Sequence, residues 1–327
     1  MKKTFGVFIA VMLAFTIFSC SKSKTDTQNN NAIVRKNLQN ESSVLNVACY
    51  SSFAEDWGAG GEIAKKFEEE TGIKVNLINA GSGAELIGFI KNNSEKEKVD
   101  VVVGISDDHI NTEVSSYIEN PVVYDYSYYA FLKNRKSLIN SPESLWDLTK
   151  DDYKKQFILI DPRTSSVGLG ALYWTKSVLK DDFITWWKKA LNNALTVASS
   201  WSEAYGLFLN GEAPIVLSYT TSPWYDIVSG DEPFASALEF KEGHIRCEEY
   251  MAVLKTSDNK TNAKKFIDFM LSPFAQKKLS DINVMYPVVK DGDLKDIFNA
   301  VKEPQHVVEK DNMSSETLID YWQERIL

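Results

Sequence analysis

The stretch Val99-Asp100-Val101-Val102-Val103-Gly104 constrains the fold more than any other, because it is apolar at nearly every position rather than at every second one. A strand of that composition is buried on both faces, as the strands of helix-covered parallel sheets are. The preceding segments suit such a sheet: residues 44–48 and 74–78 read as short strands, and residues 61–71, ended by Gly72, and 84–92 read as amphipathic helices. The alternation returns further on. Residues 156–161 read as a strand, followed by a polar turn into a helix with Leu169, Leu172 and Val178 on its apolar face. Residues 186–194 and 202–210 continue as helices, and residues 214–218 as a strand. Two runs of alternating elements imply two α/β lobes, and in sheets of this kind ligands gather beyond the carboxyl ends of the strands.

With 327 residues, 44% of them hydrophobic and 25% charged, the chain can bury a core in each of two lobes. A formal net charge of -9 and the lack of clustered Lys and Arg argue against nucleic acid as a partner and suit a cationic or neutral ligand. The first 19 residues read as a signal peptide: Lys2 and Lys3, then an apolar run to Phe18 that is short for a membrane span of ~20 residues. Cys20 follows a small residue at its end and resembles the acceptor of a bacterial lipobox, so lipidation of Cys20 is expected. The alternative is an ordinary secretory signal with Cys20 incidental. Residues 20–43, polar and rich in Asn, Ser and Lys, read as a flexible tether.

No enzyme signature stands out. His109, His244 and His306 have no partner at metal-ligand spacing, so no metal is expected. There is neither a nucleophile elbow nor a phosphate loop. The pairs Asp107-Asp108 and Glu248-Glu249 read as solvated surface, and Cys49 and Cys247 as buried thiols.

Three polar stretches carry rings and hydroxyls where a loop is expected. "DPRTSSVGLG" places Ser165 and Ser166 at a helix start, where they either cap the helix or help its free N–H groups hold a ligand. "CYSSFAEDWGAGG" puts Tyr50, Phe53 and Trp57 in the loop after the first strand, which favours a pocket wall. "LSYTTSPWYD" sets Tyr219, Thr220, Thr221, Ser222, Trp224 and Tyr225 side by side after an apolar strand and suits a flat, polar ligand. Trp201, by itself, fits either a helix entry or a pocket.

Taken together with "VDVVVGISD", "DYSYYAF", "WSEAYGLFLNGEAPIV", "EGH" and "MYPV", these stretches resemble the thiamine-binding proteins of bacterial ABC importers, in the same order from about residue 45 onward. The resemblance implies a type II periplasmic-binding-protein fold: two α/β lobes joined by a crossover hinge, with a ligand cleft between them. It implies lobe 1 from residues 44–124 plus about 228–285 and lobe 2 from about 125–227 plus 286–327. The implied ligand is thiamine or its mono- or diphosphate, with no cofactor and no catalysis. The implied site residues are Tyr50, Trp57, Ser82, Gly83, Ser165, Ser166, Trp201, Tyr219, Thr220, Thr221, Ser222 and Tyr225. Two positions depart from the family: Ser82 stands where an Asp is usual and Val284 where a Trp is usual. The resemblance also implies a permease partner, a periplasmic or cell-surface location and a monomer. Two other readings are a ferric-iron binder of the same fold, for which Tyr128-Tyr129 is the adjacent tyrosine pair, and a thiamine-degrading enzyme with Cys49 as nucleophile.

Overall fold

In the computed structural model, which describes residues 42–110 and 114–327, the apolar stretch at residue 99 becomes β3 (Val101–Ser106), with Val101 to Ile105 fully buried. The strand starts two residues late because Asp100 is occupied as a connector. It accepts from the Asn46 backbone N–H at 2.9 Å and from Ser257 Oγ at 2.7 Å, so a buried carboxylate is satisfied before the ladder begins. The signal peptide, Cys20 and nearly all of the tether lie outside the described residues.

Ser42–Leu327 form one unit built on a mixed sheet in two halves. In the first half β1 (Val44–Cys49) lies parallel to β2 (Lys74–Asn79) and to β3. The long β4 (Ile118–Asn134) passes through both halves; the sequence reading had no strand there. It bulges at Pro121, between Glu119 and Val122, where a residue without an N–H cannot serve the ladder. In the second half β5 (Phe157–Ile160) lies parallel to β6 (Thr196–Ala198) and β7 (Ile215–Tyr219), and β7 pairs with β4. β8 (Ala235–Ala237) pairs with the end of β4, β9 (Arg246–Leu254) lies between β3 and β4, and β10 (Tyr286–Pro287) pairs with β4 at Asp125 and Tyr126.

Each half has its own core. Phe53, Phe67, Phe266 and Met270 cover one face of the first half-sheet, and Leu86, Ile90 and Ile110 cover the other. The second half buries Phe131, Phe157, Trp174, Trp186, Trp187 and Trp322 together. Residues 235–245, grouped above with the first lobe, pack here: Ala235, Phe240 and Ile245 join that second core. The chain crosses between halves along β4 and again where Ile245 leads into β9.

Short segments in both halves end at the same cleft, and local caps aim them. Ser82 and Glu85 cap the helix Gly83–Asn92 reciprocally, Ser165 caps Ser166–Leu179, and Ser200 caps Trp201–Leu209. The segment after β1 is not wholly loop, since Ser51–Ala54 form one helical turn that buries Phe53 in the core.

Candidate functional site

The carboxyl ends of β1, β2 and β3 face those of β5, β6 and β7 across a cavity of about 580 Å³. From the first half come Tyr50, Trp57, Ser82, Gly83, Gly104 and Ser106; from the second come Ser165, Ser166, Trp201, Tyr219, Ser222 and Tyr225. The two sides approach closely, because a Cβ on Gly83 would lie 3.1 Å from Ser166 Oγ.

The rings are fixed in place by neighbours. The Cδ1–Cε1 edge of the Tyr50 ring lies against Gly104, whose φ is +98° and whose Cβ, if it had one, would fall 2.0 Å from the ring; only glycine permits both. The Tyr50 hydroxyl donates to Glu249 at 3.1 Å and accepts from Asn283 Nδ2 at 2.8 Å. Trp201 stacks on Tyr205 with centroids 4.9 Å apart and donates its indole N–H to Ser218 Oγ at 2.8 Å, which in turn pairs with Ser222 Oγ at 2.9 Å. Tyr219 stacks on Tyr129 with centroids 5.6 Å apart. Trp57 stands 57% exposed at the mouth, free to meet a ligand face.

Thr220 and Thr221 do not reach this cavity. Both are buried, and the Thr221 hydroxyl pairs with Ser127 Oγ at 2.8 Å beneath the surface. Thr220 instead borders a second cavity of about 310 Å³, lined also by Pro223, Ala235 and Val301. The reason is the turn that follows β7: Ser222 N–H donates to the Tyr219 carbonyl at 3.2 Å, so residues 219 and 222 share the cleft side and the two threonines face inward. Trp224 is likewise buried with Tyr126, Tyr128 and Tyr286 away from the cavity.

Charge sets the character of the cavity. Among the described lining residues, Glu55, Glu85, Glu248 and Glu249 are the ionisable acids, and there is no Lys, Arg or His. Ser82 removes the carboxylate usual at its position, yet its backbone N–H donates to Glu85 Oε2 at 2.6 Å and holds that carboxyl below the ordinary range. An acid three residues on therefore lines the same wall. Burial, and after it the nearby carboxylates, pushes the Tyr50 phenol well up, so it stays a neutral donor. The other departure, Val284, lines the cavity with φ +60° and ψ +42°, a left-handed conformation that a β-branched side chain adopts only under strain.

The acidic pairs are not solvated surface. Asp108 is buried and forms ion pairs with Asp107's partner, Lys310, whose Nζ also lies 3.1 Å from Asp107. Glu249 takes hydrogen bonds from both Tyr50 and Tyr124. Sequence reasoning missed Glu249, Glu85, Tyr129 and Met285 as cavity residues. The signal for Glu249 was its place in "RCEEYMAVL", where one of two adjacent acids in a strand must face inward.

Cys49 ends β1 and is fully buried rather than lying in the loop; burial pushes its thiol up to about 12, which leaves no nucleophilic thiolate near neutral pH. Cys247 is a second free, buried thiol, and the two are not bridged. Tyr128 and Tyr129 point to opposite sides of β4. Tyr128 bonds to Glu303 at 3.1 Å while Tyr129 stacks at the cavity, so this adjacent pair does not converge on one ion.

Comparison with known proteins agrees with this architecture. The profile of a family described as bacterial extracellular solute-binding protein matches residues 45–281. The thiamine-binding periplasmic protein of Escherichia coli (strain K12) is 37% identical over 264 residues, covering 75% of this chain and 81% of that protein. Its counterpart in Salmonella typhimurium is 36% identical over 285 residues, covering 81% and 87%. A solved periplasmic thiamin binding protein superposes with a TM-score of 0.77 at 34% identity, covering 86% of this chain and 94% of that one.

Proposed function

Because this chain belongs to the bacterial extracellular solute-binding proteins, we propose that it captures thiamine or a thiamine phosphate outside the cytoplasmic membrane and passes it to an ABC permease. One observation carries the ligand reading: a cavity of about 580 Å³ walled by aromatic rings and four glutamates, with no basic lining residue among those described. Such a volume lies within the ~300–1,000 Å³ of small-molecule sites. Thiamine pairs a permanently cationic thiazolium with a flat aminopyrimidine, and that cavity answers both.

In this reading Tyr50, Trp57, Trp201, Tyr219 and Tyr225 flank the rings. Ser82, Gly83, Ser165, Ser166 and Ser222 take the hydroxyethyl or phosphate arm, with the capped helix starts supplying N–H groups. Thr220 and Thr221 support the wall from beneath through Ser127. A ring–cation contact contributes ~0.5–2 kcal/mol. Nanomolar affinity requires about 12 kcal/mol, so burial of the ligand between closing lobes and its polar contacts must supply most of it. We also propose that Cys20 is lipidated and holds a monomer at the membrane, with residues 20–43 as tether; metabolic labelling with a fatty acid, lost in Cys20→Ala, tests this.

The functional test is calorimetric titration with thiamine, its mono- and diphosphate, and the bare aminopyrimidine. Submicromolar binding of thiamine, weakened by Trp201→Ala, is the expected result. If none of the four binds, the ligand reading is wrong.

A further inference from the structure

The ladder between β4 and β9 sets Asp125 directly opposite Glu249. Opposed residues of an antiparallel pair have Cβ atoms ~4.5–5.5 Å apart, and like charges there repel. Asp125 is fully buried and neither of its carboxyl oxygens accepts a hydrogen bond. The amide of Asn283 lies near enough to favour its ionised form, but that amide donates to Tyr50 at 2.8 Å. Glu249 lines the cavity and accepts from the Tyr50 and Tyr124 hydroxyls. No described Lys or Arg forms an ion pair with either acid.

The surroundings offer no counter-charge. From β3, Ser106 stands opposite Glu249 in the ladder, with a hydroxyl that is buried and has no partner. From β10, Pro287 stands opposite Asp125. The loop after β1 contributes Tyr50, β4 contributes Tyr124, and β9 contributes the Cys247 thiol two residues from Glu249. The nearest bases are engaged elsewhere: Arg246 pairs with Glu248 at 2.9 Å, and Lys310 pairs with Asp107 and Asp108. Two acids therefore share one buried site at the cavity wall with no described counter-charge, where ionising both at once is strongly disfavoured.

Resting on the cationic-ligand reading above, we propose that Asp125 and Glu249 act as one carboxyl pair that keeps a proton in the unliganded protein and releases it to solvent when a cationic solute enters. The pair would then be the solute's counter-ion and would select for fixed positive charge. Burial raises both carboxyls, and for Asp125 the charge of Glu249 raises it further. A cation at the wall favours the ionised pair, so affinity rises with pH until the pair is already ionised without ligand.

The test is titration of the protein with thiamine near neutral pH in buffers of different ionisation enthalpy, which counts the protons exchanged. About one proton released, with affinity rising by up to tenfold per pH unit, is the expected result. Asp125→Asn binds without proton exchange, because Glu249 then ionises without a competing acid. Glu249→Gln loses both the exchange and at least tenfold in affinity. Thiochrome, a neutral relative of thiamine, binds without exchange. Thiamine binding with no proton released, or with the same release in Asp125→Asn, overturns the pair; that outcome covers transfer of the proton to the ligand's own pyrimidine nitrogen. A ligand-free measurement keeps the inference separate from the ligand reading: in an Asp107→Asn background, which removes the other raised carboxyl, an infrared band of protonated carboxyl near neutral pH that is absent once Asp125→Asn is added. If thiamine fails to bind while that band is present, the ligand reading fails and the pair stands; if the band is missing from the Asp107→Asn background, the pair fails.

Discussion

Replacing Gly104 with alanine should disturb stability and binding together, because one atom is asked to occupy the place of the Tyr50 ring. The new Cβ would fall 2.0 Å from Tyr50 Cδ1, and the backbone there has φ +98°. The conformation costs ~1–3 kcal/mol for a residue with a Cβ. The ring must also leave, which removes its hydrogen bonds to Glu249 and from Asn283, each contributing ~0.5–1.5 kcal/mol. The expected loss of stability is about 2–6 kcal/mol, or a fall in Tm of about 4–12 °C in scanning calorimetry. Loss of one ring contact weakens thiamine binding by about 2- to 30-fold in the same preparation. Gly61→Ala is the control: it lies in the helix Ala59–Thr71 with nothing within 4 Å of a Cβ, so it should be neutral or stabilising by ~0.5–1 kcal/mol. If Gly104→Ala keeps the wild-type Tm and affinity, the ring does not rest where the structure puts it and the account of the wall is wrong.

Other outcomes follow from the same contacts. Trp201→Phe keeps a ring but loses the donor to Ser218, so it should weaken thiamine binding by about 2- to 10-fold, read by calorimetry, and rescue most of what Trp201→Ala loses. Alkylation of Cys49 by iodoacetamide should fail at neutral pH in the native protein and proceed only in denaturant, because burial pushes that thiol up to about 12; rapid native labelling would contradict its burial. Asp107 has its carboxyl raised to about 7, by burial first and by Asp108 next, against the pull of Lys310. The folded protein therefore binds that proton more tightly than the unfolded chain, so this group's contribution to stability falls as pH rises from about 4 to about 7. Urea unfolding across that window should show the slope flattened in Asp107→Asn. Lys310→Met strands two acids and should cost about 3–5 kcal/mol near neutral pH, with a smaller loss in acid, where Asp107 is protonated.

The functional consequence of the fold lies in how its halves meet. Gly83 and Ser166 approach closely from opposite lobes, and both start helices. A Cβ at position 83 would lie 3.1 Å from Ser166 Oγ, a tight contact that rotation of the serine can relieve, whereas the γ-methyls of a valine would press further into the Ser166 side. Gly83→Val should thus weaken thiamine binding while leaving Tm nearly unchanged, as fluorescence titration and thermal melts would show.

Local sequence pattern was enough for β1, β2, β3, β5 and β7 and for the helices between them, but not for β4, β6 or the strands after residue 219. The former rest on local physics: the apolar run of β3, the serine cap at residue 165 and the glycine after residue 71. It also marked the polar, ring-bearing stretches that follow the strands, since such residues have no reason to cluster in an ordinary turn. What it could not reach was the facing of individual side chains. Of four successive hydroxyl-bearing residues, Tyr219 and Ser222 meet the cavity while Thr220 and Thr221 turn inward, a choice made by the turn after β7. β4 was hidden because its run of tyrosines and its Pro121 read as a connection, and only pairing with β7 and β9 makes it a strand. Asp125 and Glu249 are distant in sequence and each looks like a surface acid. Strand register alone brings them face to face, and a shift of one residue would turn each to the other side of the sheet.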